Sequence, residues 1–380
     1  MEQSVTQLFV LIRSGLWKEQ PNFNLFGNDT NWNEVFQLAQ KQTVLGFVID
    51  GLSMLPIALQ PNKGMQIKAH SLQIRTTQHH HLLNDVISEL SSRLKKEGIH
   101  SVLLKGQGLA QNYPDPFKRA CGDIDLYVGN HNYKKTCQLL KQWGMLKGES
   151  EESSHHLHFF YREVPIEIHR IAGILYGLFR NKRFRKWSDT LLQGEECRSC
   201  SLGGETVYLP PIRFDAIFIF YHMYRHLITG GVGLRQLCDS VMYLHRFKDE
   251  INRNLLHEDL CRMGLMRIWK IFGCIAVHHL GLPKEEFPFY SDTAEIKELS
   301  EFLLEEVILR NGNFGHYNPD KQARPKGYLA GKLFSLRNTL LYLRKMQRIF
   351  GSETLNFLLF YIYKGISNIL HDTIYGKKKK

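Results

Sequence analysis

Hydrophobic residues recur every three or four positions over the first hundred residues of the chain, with polar residues between them. The segment NEVFQLAQKQTVLGFVIDGL, residues 33–52, has this spacing, and a longer amphipathic segment runs from Pro61 to Lys96, just before Gly98. Residues at this spacing share one face of an α-helix, and glycine commonly follows the last turn of a helix. The pattern therefore predicts a helical region over residues 1–98.

Between Ile99 and Leu209 the pattern changes to the short alternating segments that are typical of strands. We expect strands over residues 99–104 and 122–128, and two more within HHLHFFYREVPIEIHR, residues 155–170. The segments between them predict a tight turn at KGQG, a short helix directly after that turn, and a longer helix that ends at a glycine. This part of the chain is thus predicted to form a sheet.

Helical spacing returns after Pro211. In GLRQLCDSVMYLHRF, residues 233–247, the apolar residues fall in one stripe. The predicted fold class is therefore α+β. It consists of a small mixed β-sheet core over residues 99–209, a preceding N-terminal helical region, and a C-terminal helical domain over residues 210–380.

Composition and charge narrow the class of partner. The chain is 43% hydrophobic and 23% charged, which is ordinary for a globular protein. Its 49 Lys and Arg residues exceed its 37 Asp and Glu residues, so the formal net charge is +12. Such an excess favours polyanionic partners, namely nucleotides, nucleic acid or an anionic membrane surface, without choosing among them.

Several features favour a cytoplasmic protein. The N-terminus, MEQSVTQLFVLIRSGLW, has neither a basic region nor a small-residue cleavage site, and the seven cysteines form no evident disulfide framework. No apolar run reaches the roughly 18 residues of a membrane span. The segment LNFLLFYIY, residues 355–363, leaves two alternatives open. It forms either a buried C-terminal helix or a helix that lies on an anionic membrane together with Lys377–Lys380.

The segment GDIDLYV, residues 122–128, carries the candidate chemistry. Alternate residues of a strand share a face, so Asp123 and Asp125 are expected to point out of the core on one side. Two carboxylates side by side repel each other unless a cation binds them. In IEIHR, Glu167 occupies the polar face of another predicted strand and supplies a third carboxylate. Three carboxylates and a Lys-Gly turn indicate a site for Mg²⁺, or Mn²⁺, and a triphosphate.

These residues also carry a resemblance. The segment LLKGQGLAQNYPDPFKRACGDIDLYV, followed by IEIHR, resembles an uncharacterised bacterial family of the polymerase-beta-like nucleotidyltransferase superfamily. The similarity covers about residues 103–170, with a looser match in HMYRHLITGGVGLRQLCDS. It implies a nucleotidyltransferase core within residues 99–209 that moves a nucleoside monophosphate from a Mg²⁺-bound triphosphate, such as ATP, to a hydroxyl acceptor that the sequence does not identify. Pyrophosphate is released.

The resemblance assigns roles residue by residue. It implies that Asp123, Asp125 and Glu167 bind the metal and carry catalysis. The residues implied to bind the nucleotide are Lys105, Gly106, Gln107 and Arg119. Two positions depart from the wider superfamily, which has Gly-Ser or Gly-Gly at the turn and more often Asp as the third acid.

Arg235 is a further candidate for nucleotide binding. It follows TGGVGL at the predicted start of a helix, and such a helix start attracts anions. An ordinary ion pair with Asp239, four residues further along the helix, is the alternative. We expect the helices after Pro211 to form the wall of a cleft opposite the carboxylates, with Arg235 nearest the triphosphate.

Two other function classes stay open. A catalytically silent module would use the same fold to hold a nucleotide or partner, although the intact acids argue against it. A toxin-like nucleotidyltransferase would modify RNA, which the charge of +12 allows. The chain shows no interleaving of aromatic and basic residues of the kind that binds single strands.

Overall fold

The computed structural model describes residues 2–146, 150–153, 155–194, 196–319 and 322–375, so the predicted role of Lys377–Lys380 lies outside the described residues. The described α-helices are α1 (Gln3–Trp17), α2 (Trp32–Lys41), α3 (Leu45–Ser53), α4 (Lys63–Lys96), α5 (Gln107–Ala110), α6 (Gly129–Gln142), α7 (Leu178–Leu192), α8 (Ile212–Thr229), α9 (Leu234–Arg246), α10 (Arg253–Met263), α11 (Met266–His278), α12 (Ala294–Leu303), α13 (Tyr328–Phe350) and α14 (Glu353–Tyr375). A π-helical segment, Leu304–Leu309, follows α12 directly.

The described strands form one mixed sheet. They are β1 (Val102–Leu103), β2 (Ile124–Tyr127), β3 (Glu151–Glu152), β4 (His156–Tyr161), β5 (Val164–His169), β6 (Arg198–Leu202) and β7 (Glu205–Leu209). Their order in the sheet is β3-β4-β5-β2-β1-β7-β6. The pairs β2–β5 and β1–β7 are parallel, and the other neighbours are antiparallel. The predicted α+β class with a mixed sheet is confirmed.

One face of the sheet is covered by α4 and α6. Helix α4 begins where the Asn62 side chain accepts a hydrogen bond from the Met65 backbone N–H at 3.0 Å, and it runs for 34 residues. Its buried side chains, among them Leu83 and Leu90, pack with Ile124 and Leu126 of β2 in one cluster. Because strand residues alternate between faces, Asp125 must then point to the other face of the sheet.

The helices at the two ends of the chain share a second hydrophobic core. It contains Leu8 of α1 and Phe47 of α3 together with Phe220 of α8 and Trp269 of α11, all nearly fully buried. The predicted boundaries near residues 98 and 210 stay predictions. The N-terminal and C-terminal helices nevertheless bury their apolar faces largely against each other.

Some elements differ from the sequence prediction. The strand expected over residues 99–104 is only two residues long, and helix α7 was not predicted because basic residues interrupt the apolar positions of its sequence, LFRNKRFRKWSDTLL. Helix α14 buries Phe357 but exposes 60% of Leu355. None of the described helices combines the length and apolar character that crossing a membrane requires.

Candidate active site

The candidate carboxylates lie on neighbouring parallel strands. In the β2–β5 register, Asp125 lies opposite Glu167, and Tyr127 lies opposite His169. Paired residues of parallel strands point to the same side of a sheet, so both acids face away from the α4–α6 layer. Asp125 is 1% exposed, whereas Asp123 precedes the strand and is exposed.

Two basic side chains contact the two oxygens of Asp125. Lys105 Nζ lies 3.0 Å from Oδ2, and His169 Nε2 lies 2.8 Å from Oδ1. Burial opposes ionisation of Asp125, but the charges and hydrogen bonds of these two neighbours outweigh it and hold the pKa of the carboxyl below its usual value. The pKa of Asp123 is raised, first by the charge of Asp125 and then by desolvation. The site thus holds one firmly ionised carboxylate beside a second that is easier to protonate.

His169 links Asp125 to Glu167. Its Nε2 atom, which donates to Asp125, also lies 3.2 Å from Glu167 Oε2. Burial lowers the pKa of His169, but hydrogen bonds to the two carboxylates raise it to about 8. Burial raises the pKa of Glu167, but the hydrogen bond to His169 outweighs burial, so the pKa lies below its usual value. Since a single nitrogen reaches both carboxylates, Asp125 and Glu167 lie close enough to share a bound cation.

A group of three metal-ligating side chains lies at the end of these strands. Among the described residues, the donor atoms of His156, Glu167 and His169 all lie within 4.8 Å of one another. This group includes one of the three predicted metal ligands, and Asp125 adjoins it through His169. Carboxylate oxygens suit Mg²⁺ and Mn²⁺, and imidazole nitrogens suit transition metals such as zinc and iron. The donors present therefore fit a divalent cation.

Helix α8 lies across from the carboxylates and contributes two histidines. His222 Nε2 lies 3.0 Å from Lys105 Nζ, and His226 Nε2 lies 3.0 Å from His222 Nε2. Burial, reinforced by the charge of Lys105, puts the pKa of His222 well below its ordinary value and lowers that of His226 to about 3. Both imidazoles are neutral at physiological pH, so His222 accepts a hydrogen bond from the Lys105 ammonium.

A pocket of about 380 Å³ separates the carboxylates from α8 and α9. Its lining residues are Lys105, Gly106, Leu109, Arg119, Gly122, Asp123, Glu167, Ile219, His222, His226, Arg235, Gln236 and Asp239. Asp125 lies behind this lining. Gly106 has a φ of 57°, and a Cβ at this position would lie 3.3 Å from the Asp123 carbonyl oxygen, so glycine suits this turn.

Arg235 lies in the same pocket as Asp123 and Glu167, as the predicted cleft requires. Its Nη1 donates to the Ala120 carbonyl oxygen at 2.7 Å. Its buried Nε has no hydrogen-bond partner among the described residues. Burial, followed by repulsion from Arg119, lowers the pKa of Arg235. A desolvated guanidinium with spare donor capacity is suited to bind an anion.

Arg119 and Gln107 have contacts that the sequence did not predict. Arg119 donates to both carboxylate oxygens of Asp239, at 2.6 and 2.7 Å, and both side chains are buried. The Gln107 side chain points toward α4, where its amide donates to Asn84 Oδ1 at 2.7 Å. Arg119 thus lines the pocket while it is ion-paired with Asp239. Of Gln107, only the backbone belongs to the predicted phosphate turn.

Sequence reasoning did not assign His156, His222 or Asp239 to the site. The i, i+4 spacing of His222 and His226 was a usable signal, because it places both side chains on one face of a helix. For His156 the signal was weaker, since it depends on the register of the β4–β5 hairpin. That register pairs His156 with His169.

Comparisons with known proteins identify the family of the chain. The model of a family described as uncharacterised nucleotidyltransferase matches residues 28–281. A solved structure, that of an antigenic nucleotidyltransferase-like protein from Paracoccidioides brasiliensis, is similar at 17% identity and a TM-score of 0.34, over 49% of this chain and 88% of that one. No curated protein matches the sequence. Because the family model spans more than half of the chain, the protein belongs to this uncharacterised nucleotidyltransferase family.

Proposed function

We propose that the protein transfers a nucleoside monophosphate from a metal-bound nucleoside triphosphate to a hydroxyl group of an acceptor, with release of pyrophosphate. Membership of a nucleotidyltransferase family supports the reaction class. The observation that carries the proposal is the pairing of Asp125 with Glu167 across two parallel strands, beside a pocket that Glu167, Lys105 and Arg235 line. A bacterial source and a place in the polymerase-beta-like superfamily stay predictions.

The residues divide into two groups in this proposal. Lys105 and Arg235 bind the triphosphate as cations, and the Gly106 turn lets the backbone approach it closely. Arg119 holds its place beside them through Asp239. The predicted metal ligands, Asp123, Asp125 and Glu167, would hold Mg²⁺ or Mn²⁺.

The transfer step balances as a displacement at phosphorus. The acceptor oxygen forms a bond to the α-phosphorus, and the bond from that phosphorus to the bridging oxygen breaks, so its electron pair leaves with pyrophosphate. Glu167 takes the proton from the acceptor hydroxyl. The bound cation would neutralise charge on the phosphates and lower the pKa of the attacking hydroxyl.

The first prediction concerns the two aspartates. Asp123→Asn and Asp125→Asn should each abolish metal-dependent nucleotide binding, because an amide cannot replace a carboxylate as counter-charge to a divalent cation. Isothermal titration calorimetry with Mg·ATP and Mn·ATP measures this. Asp85→Asn, at an exposed position of α4, removes the same charge and serves as the control. Unchanged affinity in both site variants contradicts the proposal.

The second prediction separates binding from chemistry. Glu167→Gln should keep nucleotide affinity within about tenfold but lower transfer by about 10²-fold or more, since the lost group acts when the nucleophile forms. Mass spectrometry of proteins, RNAs and small molecules after incubation with each Mg·NTP reports transfer, and calorimetry reports binding. If Glu167→Gln transfers as fast as the wild type, Glu167 is not the base.

A further inference from the structure

A second, larger cavity of about 940 Å³ lies between α8, α13 and α14. Its walls are mostly apolar, and several aromatic side chains, among them Tyr176, Phe357 and Phe360, contribute to them. Small-molecule sites commonly have volumes of about 300–1,000 Å³ and a mainly apolar lining with a few polar groups. The size and chemistry of the cavity therefore match those of a site for a small organic molecule.

The cavity lies next to the carboxylates. His156 is part of its lining, and His156 Nε2 lies 3.8 Å from Oε1 of Glu167, which lines the 380 Å³ pocket. Helix α8 borders both spaces. His222 and His226 line the pocket, while Arg225 and Thr229, each three residues further along the helix, line the cavity. A molecule in the cavity thus has one end beside the proposed catalytic base.

The charged groups of the cavity all have one sign. Apart from two histidines, the charged lining residues are Arg225, Lys332 and Lys364, and no acidic side chain is part of the described lining. Arg225 is held in place, because its Nη1 donates to Tyr221 Oη at 3.3 Å and its guanidinium lies 5.7 Å from the ring centre of Tyr176. Basic groups on apolar walls favour a ligand with an apolar body and a negative charge.

We propose that this cavity binds the acceptor, and that the acceptor is a small amphipathic molecule with an apolar body, an anionic group and a hydroxyl directed past His156 toward Glu167. This assignment rests on the proposed nucleotidyl transfer. The anionic group lies near Arg225, and the apolar body packs on the aromatic side chains of α14.

A binding experiment tests the cavity without nucleotide. The probe is 1-anilinonaphthalene-8-sulfonate, and N-phenyl-1-naphthylamine, with the same rings and no sulfonate, is the neutral comparison. We expect one equivalent of the sulfonate to bind at least tenfold more tightly than the neutral probe. Thr339→Trp, which fills the cavity, should weaken binding at least tenfold, and Leu340→Trp, the next and more exposed position of α13, should not.

Two results of that experiment overturn the proposal. One is equal affinity of wild type and Thr339→Trp for the sulfonate. The other is an equal loss in Leu340→Trp, which would place the probe on the exposed face of α13. Mg·ATP affinity, measured on the same samples, should stay the same in both variants. If wild-type protein binds no Mg·ATP, the proposed function fails while the probe result still stands.

A transfer experiment tests the acceptor class. Wild-type protein is incubated with Mg·ATP or Mn·ATP and aryl and alkyl hydroxy acids, with neutral sugars, RNA and anionic phospholipid vesicles as separate arms. We expect nucleotidylated hydroxy acids, and at least a tenfold loss of that product in Thr339→Trp. Transfer to sugar or RNA alone overturns the acceptor assignment but leaves nucleotidyl transfer intact. Sedimentation with vesicles that Thr339→Trp abolishes would instead assign the cavity to a lipid.

Discussion

Asp125 shows how a single buried charge is maintained at the site. A carboxylate that is 1% exposed loses nearly all of its hydration, which costs several kcal/mol unless opposite charges replace the water. Lys105 and His169 do so, one at each oxygen. The same two groups hold cationic charge beside the carboxylate before any metal binds.

The third prediction concerns the contribution of the Arg119–Asp239 ion pair to stability. Asp239→Asn should lower the free energy of unfolding by about 3–5 kcal/mol, because it leaves a buried guanidinium without its counter-charge. Tyr113, whose hydroxyl donates to the same carboxylate at 2.7 Å, keeps an acceptor in this variant. Urea unfolding measures the change. Glu298→Gln, which removes the partner of Arg348 in a fully exposed pair, should change stability little. An equally small effect of Asp239→Asn contradicts the prediction.

The same pair shows where sequence reasoning stops at this scale. Helical spacing made Arg235 the natural partner of Asp239, since the two are four residues apart. The structure pairs Asp239 with Arg119 instead, from a segment 120 positions earlier in the chain. Local spacing predicts which residues share a helical face. The tertiary fold determines which charged side chain packs opposite that face.

The β4–β5 hairpin is the element that carries Glu167 and His169 into place. Its turn residues Arg162 and Glu163 have φ values of 49° and 63°, in the left-handed region. Two-residue hairpin turns favour these angles because their twist matches that of the strands, but residues with a Cβ are strained there. The hairpin thus bears a local conformational cost for the β4–β5 register, which pairs His156 with His169 beside Glu167.

The fourth prediction is that removing this backbone strain stabilises the protein. Glu163→Gly should raise the free energy of unfolding by about 0.5–1 kcal/mol, as the strain of about 1–2 kcal/mol is removed and part of the gain is offset by the freer unfolded chain. Glu163→Ala keeps the Cβ and should give no such gain. Thermal and urea unfolding of the two variants measure the difference. Equal stability of the glycine and alanine variants would show that the turn is unstrained.

Elements with strong periodicity were predicted well, and weakly patterned ones were not. Helices α4 and α9 lie close to their predicted ranges, and the two strands expected within residues 155–170 are β4 and β5. Helix α7 was missed, since its charged sequence buries only Phe184, Ser188 and Leu192. Its position comes from contacts with α8 and α10, which no local pattern contains.

At the scale of the whole molecule, Gln42 connects the two ends of the chain at the site. Its side chain is fully buried, and its amide donates to the Ile308 carbonyl oxygen at 2.8 Å. Its Oε1 accepts from the Leu234 backbone N–H at 3.0 Å, at the first residue of α9. The helix that carries Arg235 therefore begins against a residue from the N-terminal region. Sequence alone gave no hint of this contact, which spans 266 positions.

The fifth prediction follows from these contacts. Gln42→Leu should lower the free energy of unfolding by about 1–3 kcal/mol, because it leaves the buried Leu234 N–H unpaired, whereas the Ile308 carbonyl keeps its hydrogen bond from the Gly312 N–H. It should also weaken Mg·ATP binding, since the start of α9 loses its anchor. Urea unfolding and calorimetry measure both effects. Gln40→Leu, at an exposed position of α2, is the control and should do neither. Full nucleotide affinity in Gln42→Leu would show that α9 is held without this bridge.

The 380 Å³ pocket and the 940 Å³ cavity are formed largely by different parts of the chain. The family match ends at residue 281, whereas α13 and α14, which close the larger cavity, begin at Tyr328. Helix α8, inside the matched region, borders both spaces. If the larger cavity binds the acceptor, as proposed, α13 and α14 would help determine which acceptor binds, and elements within the matched residues would determine nucleotide binding. Replacing these two helices would then change acceptor specificity and leave nucleotide binding as it is.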